Sequence, residues 1–318
     1  LSDHLARIEL PLPLDGLPSV NCYAVLGEDD VTLVDPGWSS ADTLAALTGG
    51  LAHLGRTLDD VRQVVVTHHH WDHYTQAVSL RRSHGIPVHL GRGEAPSIRA
   101  WEDLPGAFPL QVGMLRDAGA DTLAAEVAAI REDVHERAMD FTMPSAWLDD
   151  GQVVDCGGTS LRVIATPGHT RGHVVFEDSA TGALLTGDHV LPRTTPSIAY
   201  ERAPDPRSLT TYLASLRLVA GLGDRELLPA HGEATTSAGQ RALELLEHHR
   251  ARLSEIAALR DAGHATPAAI AARMRWTRRE RRLEELETVH RMTAVLEVAA
   301  HLDHLDRLEP GHSPEGTT

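Results

Sequence analysis

The stretch THHHWDHY, positions 67–74, follows VRQVVV at 61–66 without a break. A valine-rich run of this length predicts a strand. The six positions after Thr67 hold four histidines and an aspartate. Imidazole and carboxylate together are the donors of a zinc-type metal centre. The pattern places His68, His70, Asp72 and His73 on one short loop, where successive side chains can turn toward a common point. Its internal position, its aspartate and the strand before it set it apart from a surface histidine cluster or a tag remnant.

Three later apolar runs end in the same manner. LRVIA at 161–165 leads into TPGHTRGH at 166–173, ALL at 183–185 into Thr186-Gly187-Asp188, and ELL at 226–228 into PAHG at 229–232. Each time a strand-like run stops at a glycine-containing turn that carries a His or an Asp. HxHxDH, PGHT, TGD and PAHG, in that order, resemble the metallo-β-lactamase-fold hydrolases over about Val20 to Gly232.

The resemblance implies an α/β fold, an αββα sandwich with the metals at one edge of its two sheets. It also implies a ligand set. His68, His70 and His169 would hold a first metal, Asp72, His73 and His231 a second, and Asp188 would bridge them. Asp72 would in addition orient the attacking water, which makes it the catalytic residue. His69 and Trp71 fill variable slots of the motif and are not assigned as ligands. His173 is either a support behind the ligands or a structural residue opening the strand at 174–176. Asp35, in LVDPG at 33–37, either supports the histidine loop as an acceptor, as in relatives, or is a turn residue before Pro-Gly.

The implied cofactors are two zinc ions, with iron or manganese as alternatives. Paired metals share a water and lower its pKa from 15.7 toward about 7, giving a metal-bound hydroxide that attacks a carbonyl or phosphoryl centre. No serine or cysteine nucleophile is required. Asp rather than Cys at 188 departs from the zinc β-lactamases with a Cys ligand. His rather than Glu at 70 departs from the diiron flavoprotein oxygen reductases. The chain has no lysine, which excludes a Ser-Lys hydrolase. The leading expectation is a dinuclear zinc hydrolase of a small-molecule thioester, ester or lactone, similar to the hydroxyacylglutathione hydrolase-like branch, although no basic residues that would hold glutathione can be placed. The alternatives are an endoribonuclease-like phosphodiesterase and a mononuclear-iron sulfur dioxygenase. The complete second set of Asp72, His73 and His231 weighs against a single iron, and all seven ligand positions weigh against a silent binding module.

Strand-like runs at 20–26, 31–34, 61–66 and 86–90 alternate with helices, one capped by Ser40 or Asp42 and running through His53, another at 74–83. More strands centre on Val153, Leu161, Val174, Leu184 and Leu227, which predicts a layered α/β domain over 1–235. Positions 91–150 break this rhythm. Trp101, Leu104, Phe108, Leu110, Met114 and Leu115 precede a helical run at 123–130, read as an inserted helical segment. It either roofs the site as an apolar lid or packs on the body away from substrate. The loop 191–200 follows Asp188 and offers Arg193 and Tyr200 as substrate contacts, or is a connector. A helix then opens at Asp205 as N-cap with Pro206 at its first position, and turns Leu209, Leu213, Leu216 and Val219 inward.

From 236 to 310 a long helix, a Thr266-Pro267 helix start and a last helix resemble a winged-helix-like domain. Arg273, Arg275, Arg278, Arg279, Arg281 and Arg282 make its middle basic, as an RNA contact or as a solvated or dimer surface. His248, His249, His301 and His304 read as surface residues and 311–318 as a disordered tail. The formal charge of −16 disfavours polyanions as general partners, so a small molecule is the expected partner ahead of RNA, and a homodimer stays open. Two cysteines, Cys22 and Cys156, make no disulfide framework. No run approaches the roughly 20 apolar residues of a membrane span, and the start lacks a basic-then-apolar leader. The expected location is therefore the cytoplasm, without a membrane partner.

Overall fold

The computed structural model describes residues 2–14, 16–131, 139–198, 200–233 and 236–308. The expected tail at 311–318 lies outside them. Two sheets form the centre. The first runs in the order β1 (Leu5–Leu14), β2 (Leu17–Leu26), β3 (Val31–Val34), β4 (Val61–Val66), β5 (Val88–Gly91), β6 (Ala146–Leu148). Its first three strands pair antiparallel and the rest parallel. The second runs β11 (Leu227–Pro229), β10 (Leu184–Gly187), β9 (Val174–Asp178), β8 (Ser160–Ala165), β7 (Val153–Asp155). Only the β10–β11 pair in it is parallel.

Alternation of side chains along each strand sets the layers. Val65, Val163, Val174, Phe176, Leu185 and Leu228 point into the core between the sheets. Val64 and Val66 point the other way, onto Leu47 and Leu51 of α1 (Ala41–His53) and Ala77, Val78 and Leu80 of α2 (Trp71–His84). Ile164, Val175, Leu184 and Leu227 face outward onto Leu209, Leu213, Leu216 and Val219 of α6 (Ser208–Gly221) and Ala242 and Leu245 of α7 (Ala238–Asp261). The result is an αββα sandwich whose central strands are buried on both faces, which explains why they read as apolar runs.

Local signals hold in places and shift in others. Ser40 caps α1, its side chain accepting from the Thr43 amide at 3.0 Å. The expected short loop is shorter still, because α2 begins at Trp71. Asp72 and His73 therefore sit in its first turn, both buried, where the helix dipole favours an anion. The helix expected from Asp205 begins at Ser208, since 205–207 form a turn in which the Asp205 side chain accepts from the Arg207 amide at 2.8 Å. β1 has no counterpart in the sequence reading.

The segment 91–150 holds α3 (Ala95–Asp103), α4 (Gln111–Asp117) and α5 (Asp121–Ala128), and ends in β6. Leu115, Leu123, Ala124 and Val127 share one hydrophobic core with Ile256 of α7, Ile270 of α8 (Pro267–Ala271), Met274, Trp276, and Met292 and Val295 of α9 (Thr288–Leu308). α4, α5 and the C-terminal helices thus pack as one body, whereas Ile98 and Trp101 of α3 pack in the core of the first sheet. Thr266 caps α8 as expected, accepting from the Ala269 amide. The six arginines at 273–282 are all exposed, but Trp276 among them is buried and donates from Nε1 to the Ala271 carbonyl at 3.0 Å. A single bridge, Trp276 to Arg281, stands where a wing would be.

The surface placement holds for His248, which is exposed, and needs correction for the other three C-terminal histidines. His249 and His301 are fully buried and His304 nearly so, because α7 and α9 close against each other and against α6. His301 donates from Nδ1 to the Glu297 carbonyl, which leaves its Nε2 to accept from His249 Nδ1 at 3.1 Å. Burial, helped by neighbouring His301, holds His249 well below the ordinary value of 6.5, and burial pushes His301 down to about 4. Both rings are neutral in the folded state and take up protons on unfolding below pH 6.5. For His301 the resulting contribution to stability is complete above about 6.5 and is lost as pH falls toward 4, and His249 acts in the same direction. Urea midpoints from pH 7.5 to 5 should fall, and a His249→Phe, His301→Phe variant should show a shallower fall than the wild type. Equal slopes would contradict this origin.

Candidate metal centre

The centre lies where β4, β8, β10 and β11 end along one edge of the sandwich. β4 delivers His68, His70 and, through the first turn of α2, Asp72 and His73. The turns after β8, β10 and β11 deliver His169, Asp188 and His231. The Pro-Gly-His turn requires its glycine. Gly168 has φ of +143°, and a Cβ there would lie 2.4 Å from the Tyr212 backbone on α6. Nothing larger lets the His169 loop approach the helix this closely.

The side chains meet in two groups. Ligand atoms of His68, His70, His169 and Asp188 lie within 4.8 Å of one another, as do those of Asp72, His73 and His231. Hydrogen bonds behind the rings orient them. His70 donates from Nε2 to the Tyr200 carbonyl at 2.9 Å, and His169 from Nδ1 to the Ser197 carbonyl at 2.9 Å. Thr67 donates its hydroxyl to Asp35 at 2.7 Å, so its oxygen accepts from His68 Nδ1 at 3.1 Å. Each neutral ring has then used its only proton. What remain are lone pairs on His68 Nε2, His70 Nδ1 and His169 Nε2, with the first and last each 3.0 Å from the second. Three lone pairs converging without a proton between them fit a cation.

The second group repeats the logic. His73 donates from Nδ1 to Asp35 at 3.0 Å and His231 from Nδ1 to the Ser19 carbonyl at 2.8 Å. Their Nε2 atoms are buried with no hydrogen-bond partner among the described residues. Asp188 faces both groups. Its Oδ2 lies 3.6 Å from His169 Nε2, and its Oδ1 lies 3.3 Å from His231 Nε2 and 3.7 Å from His73 Nε2. Asp72 Oδ2 lies 3.4 Å from His231 Nε2 and 3.6 Å from His73 Nε2.

The electrostatics differ between the groups. Burial, reinforced by the surrounding imidazoles, holds His68 and His70 well below their ordinary value, and burial lowers His169 as well. Burial alone would lower His73 too, but the carboxylates of Asp72, Asp35 and Asp188 outweigh it and push it up to about 10. His231 is raised for the same reason, and Asp72, despite burial, is held below the carboxylate range by His73 and His231.

Asp35 is a buried non-glycine residue at φ +54°, a conformation few residues adopt outside strained functional sites. It accepts from the Thr67 amide at 2.8 Å, the Thr67 hydroxyl and His73. This is the supporting arrangement, and Asp35 also ends its strand. His173 bonds Thr166 at 3.0 Å and stacks on His68 with ring centroids 5.0 Å apart. It belongs to neither ligand group.

Two neighbours of the centre carry no readable signal in the sequence. His69, in a variable slot, bonds Glu94 at 2.8 Å in a buried group with Glu201. Ser97 donates to Glu201 at 2.7 Å, and Thr170 donates to Glu94. Burial, with the charge of Glu94, pushes Glu201 up to about 7. A cleft of about 860 Å³ opens beside His69 and His70, and Trp101, Phe108, Gln111 and Phe141 of the inserted segment form one wall. Tyr200 lines it. Arg193 is exposed, its carbonyl accepts from Arg278, and it is not among the residues that line the cleft.

The family model of the metallo-beta-lactamase superfamily matches residues 15–231. The chain belongs to this superfamily. A metallo-beta-lactamase family protein from Thermus thermophilus superposes with a TM-score of 0.77 at 30% identity, covering 96% of this chain and 94% of that one. A beta-lactamase domain protein from Burkholderia ambifaria gives 0.71 at 26% identity, over 96% of this chain and 88% of that one. The probable metallo-hydrolase YqjP of Bacillus subtilis is 27% identical over 267 residues, 82% of this chain and 81% of its own length. The thioesterase pkgB of Emericella nidulans is 35% identical over 140 residues, 44% of this chain and 37% of that protein. Membership supports an enzyme of metallo-hydrolase type that binds divalent metal.

Metal content tests the two groups directly. His231→Ala, in the second group, should retain about one metal equivalent where the wild type retains two, and two retained equivalents in the variant would contradict the grouping.

Proposed function

We propose that the protein is a dinuclear zinc hydrolase that cleaves a thioester, ester or lactone of a small molecule. The observation that carries this reading is Asp188, whose two oxygens face the two ligand groups and suit it to bridge a metal pair. His68, His70 and His169 would hold one metal, and Asp72, His73 and His231 the other. When bound, such a pair lowers the pKa of a shared water toward about 7 and polarises the carbonyl under attack. The protein supplies the positioning. Asp72, kept ionised by His73 and His231, accepts a hydrogen bond from the attacking water and orients it. Asp35 and the carbonyls of Tyr200, Ser197 and Ser19 fix the tautomer and direction of the rings that face the metals, a role whose loss costs about 10–100-fold in metal affinity elsewhere.

The cleft beside His70 favours a small organic substrate over a polyanion, because apolar side chains dominate its lining. Similarity to a protein named a thioesterase supports a thioester among the three bond types. The test is hydrolysis by zinc-reconstituted protein of acyl-CoA and glutathione thioesters, a lactone and single-stranded RNA at low and moderate salt. The expected result is turnover of a thioester or lactone that is indifferent to salt. Salt-sensitive RNA cleavage would instead establish the phosphodiesterase. Iron near one equivalent would point to the dioxygenase. His70→Ala and Asp188→Ala should lose turnover while keeping the wild-type circular dichroism spectrum, and wild-type rates in either variant after metal reloading would overturn the ligand assignment.

A further inference from the structure

The chain is poor in aromatic residues, with five Trp, four Tyr and three Phe in 318 positions. Six of these twelve line one cleft: Trp38, Trp71, Trp101, Phe108, Phe141 and Tyr200. They come from five separated parts of the sequence, so the concentration is a product of the fold. Their arrangement is held by specific contacts. Trp101 stacks on Phe141 at 3.8 Å between ring centroids, and the Arg202 guanidinium lies 4.1 Å from the same indole ring. Trp38 and Trp71 meet edge to face at 5.6 Å. Tyr200 is tied to the metal centre through its carbonyl, which accepts from His70.

The polar groups narrow the ligand further. Arg202, the one arginine lining the cleft among the described residues, is buried and donates to the Ala100 and Leu104 carbonyls. Glu201 accepts from Ser97 and from the Arg171 amide. Among the described residues, the cleft therefore presents no arginine available to an anionic substituent.

We propose that this cleft is the acyl pocket and that it selects a flat aromatic acyl group free of anionic substituents over an alkyl chain. Fixed aromatic walls attract rings edge-to-face and face-to-face beyond the area they bury. A flexible alkyl chain gains no such geometry and loses more rotor freedom on binding. The identification of the occupant as an acyl group rests on the hydrolase reading, whereas the preference for aromatic over alkyl ligands does not.

Two measurements separate the claims. Calorimetry on the wild-type protein should show 2-naphthol, with the same carbon count as 1-decanol, binding about tenfold tighter than 1-decanol. Trp101→Leu and, independently, Phe108→Leu should each weaken 2-naphthol several-fold with metal content unchanged. Independently, kcat/KM for the 2-naphthoyl thioester of coenzyme A should exceed that for the decanoyl thioester by about tenfold or more. Equal or tighter binding of 1-decanol, or faster cleavage of the decanoyl thioester, would overturn the aromatic pocket while leaving the hydrolase reading intact. Tight 2-naphthol binding with no cleavage of any thioester, ester or lactone would overturn the acyl assignment and the hydrolase reading, and keep the aromatic preference.

Discussion

Five imidazoles aim a ring nitrogen into one small volume, and the rest of the molecule is arranged to hold them there. An imidazole left to itself turns its free nitrogen toward water or a donor. Here the far nitrogen of each ring is occupied: His68 by Thr67, His73 by Asp35, and His70, His169 and His231 by backbone carbonyls of Tyr200, Ser197 and Ser19. The near nitrogens then have no choice of direction. Burial removes the competing solvent, and a cation is the partner that relieves the resulting convergence of lone pairs. The supporting acceptors come from the first sheet and from the loop after β10, and three of the donors follow strands of the second sheet, so the candidate centre assembles only when the sandwich is closed.

That loop links the two halves of the site. Leaving Asp188, it places the Ser197 carbonyl behind His169 and the Tyr200 carbonyl behind His70, then sets Glu201 under Ser97 and Arg202 against Trp101. Metal ligands and cleft wall are therefore positioned by one segment. The inserted helices α4 and α5 are anchored on their other side by the C-terminal helices, through the shared core of Leu115, Val127, Ile270, Met274 and Val295. The C-terminal helices thus pack behind α4, which carries Gln111 of the cleft wall.

The strands and the order of the ligand turns were legible in the sequence because both depend on neighbours. A buried strand shows as a run of Val, Leu and Ile, and each donor follows its strand within a few residues. β1 was not legible, since its prolines and single-face burial blur the apolar pattern. Nor were the burial of His249 and His301, decided by helices that meet from distant parts of the chain, or the group of His69, Glu94 and Glu201, whose members are separated by up to 132 residues of ordinary composition. The helix start at Trp71 was missed for a different reason: a metal-ligand motif and the first turn of a helix use the same residues.

The sequence by itself determined the fold class and which side chains can be donors, because those properties are written in short-range spacing and in the chemistry of His and Asp. The tertiary structure alone decided the orientation of each ring, the bridging position of Asp188 between two groups, and the gathering of half the aromatic residues at one cleft. Hydrogen bonds across 28 to 212 residues and packing between separate helices set those features, and no local pattern encodes which distant carbonyl or ring a side chain will meet.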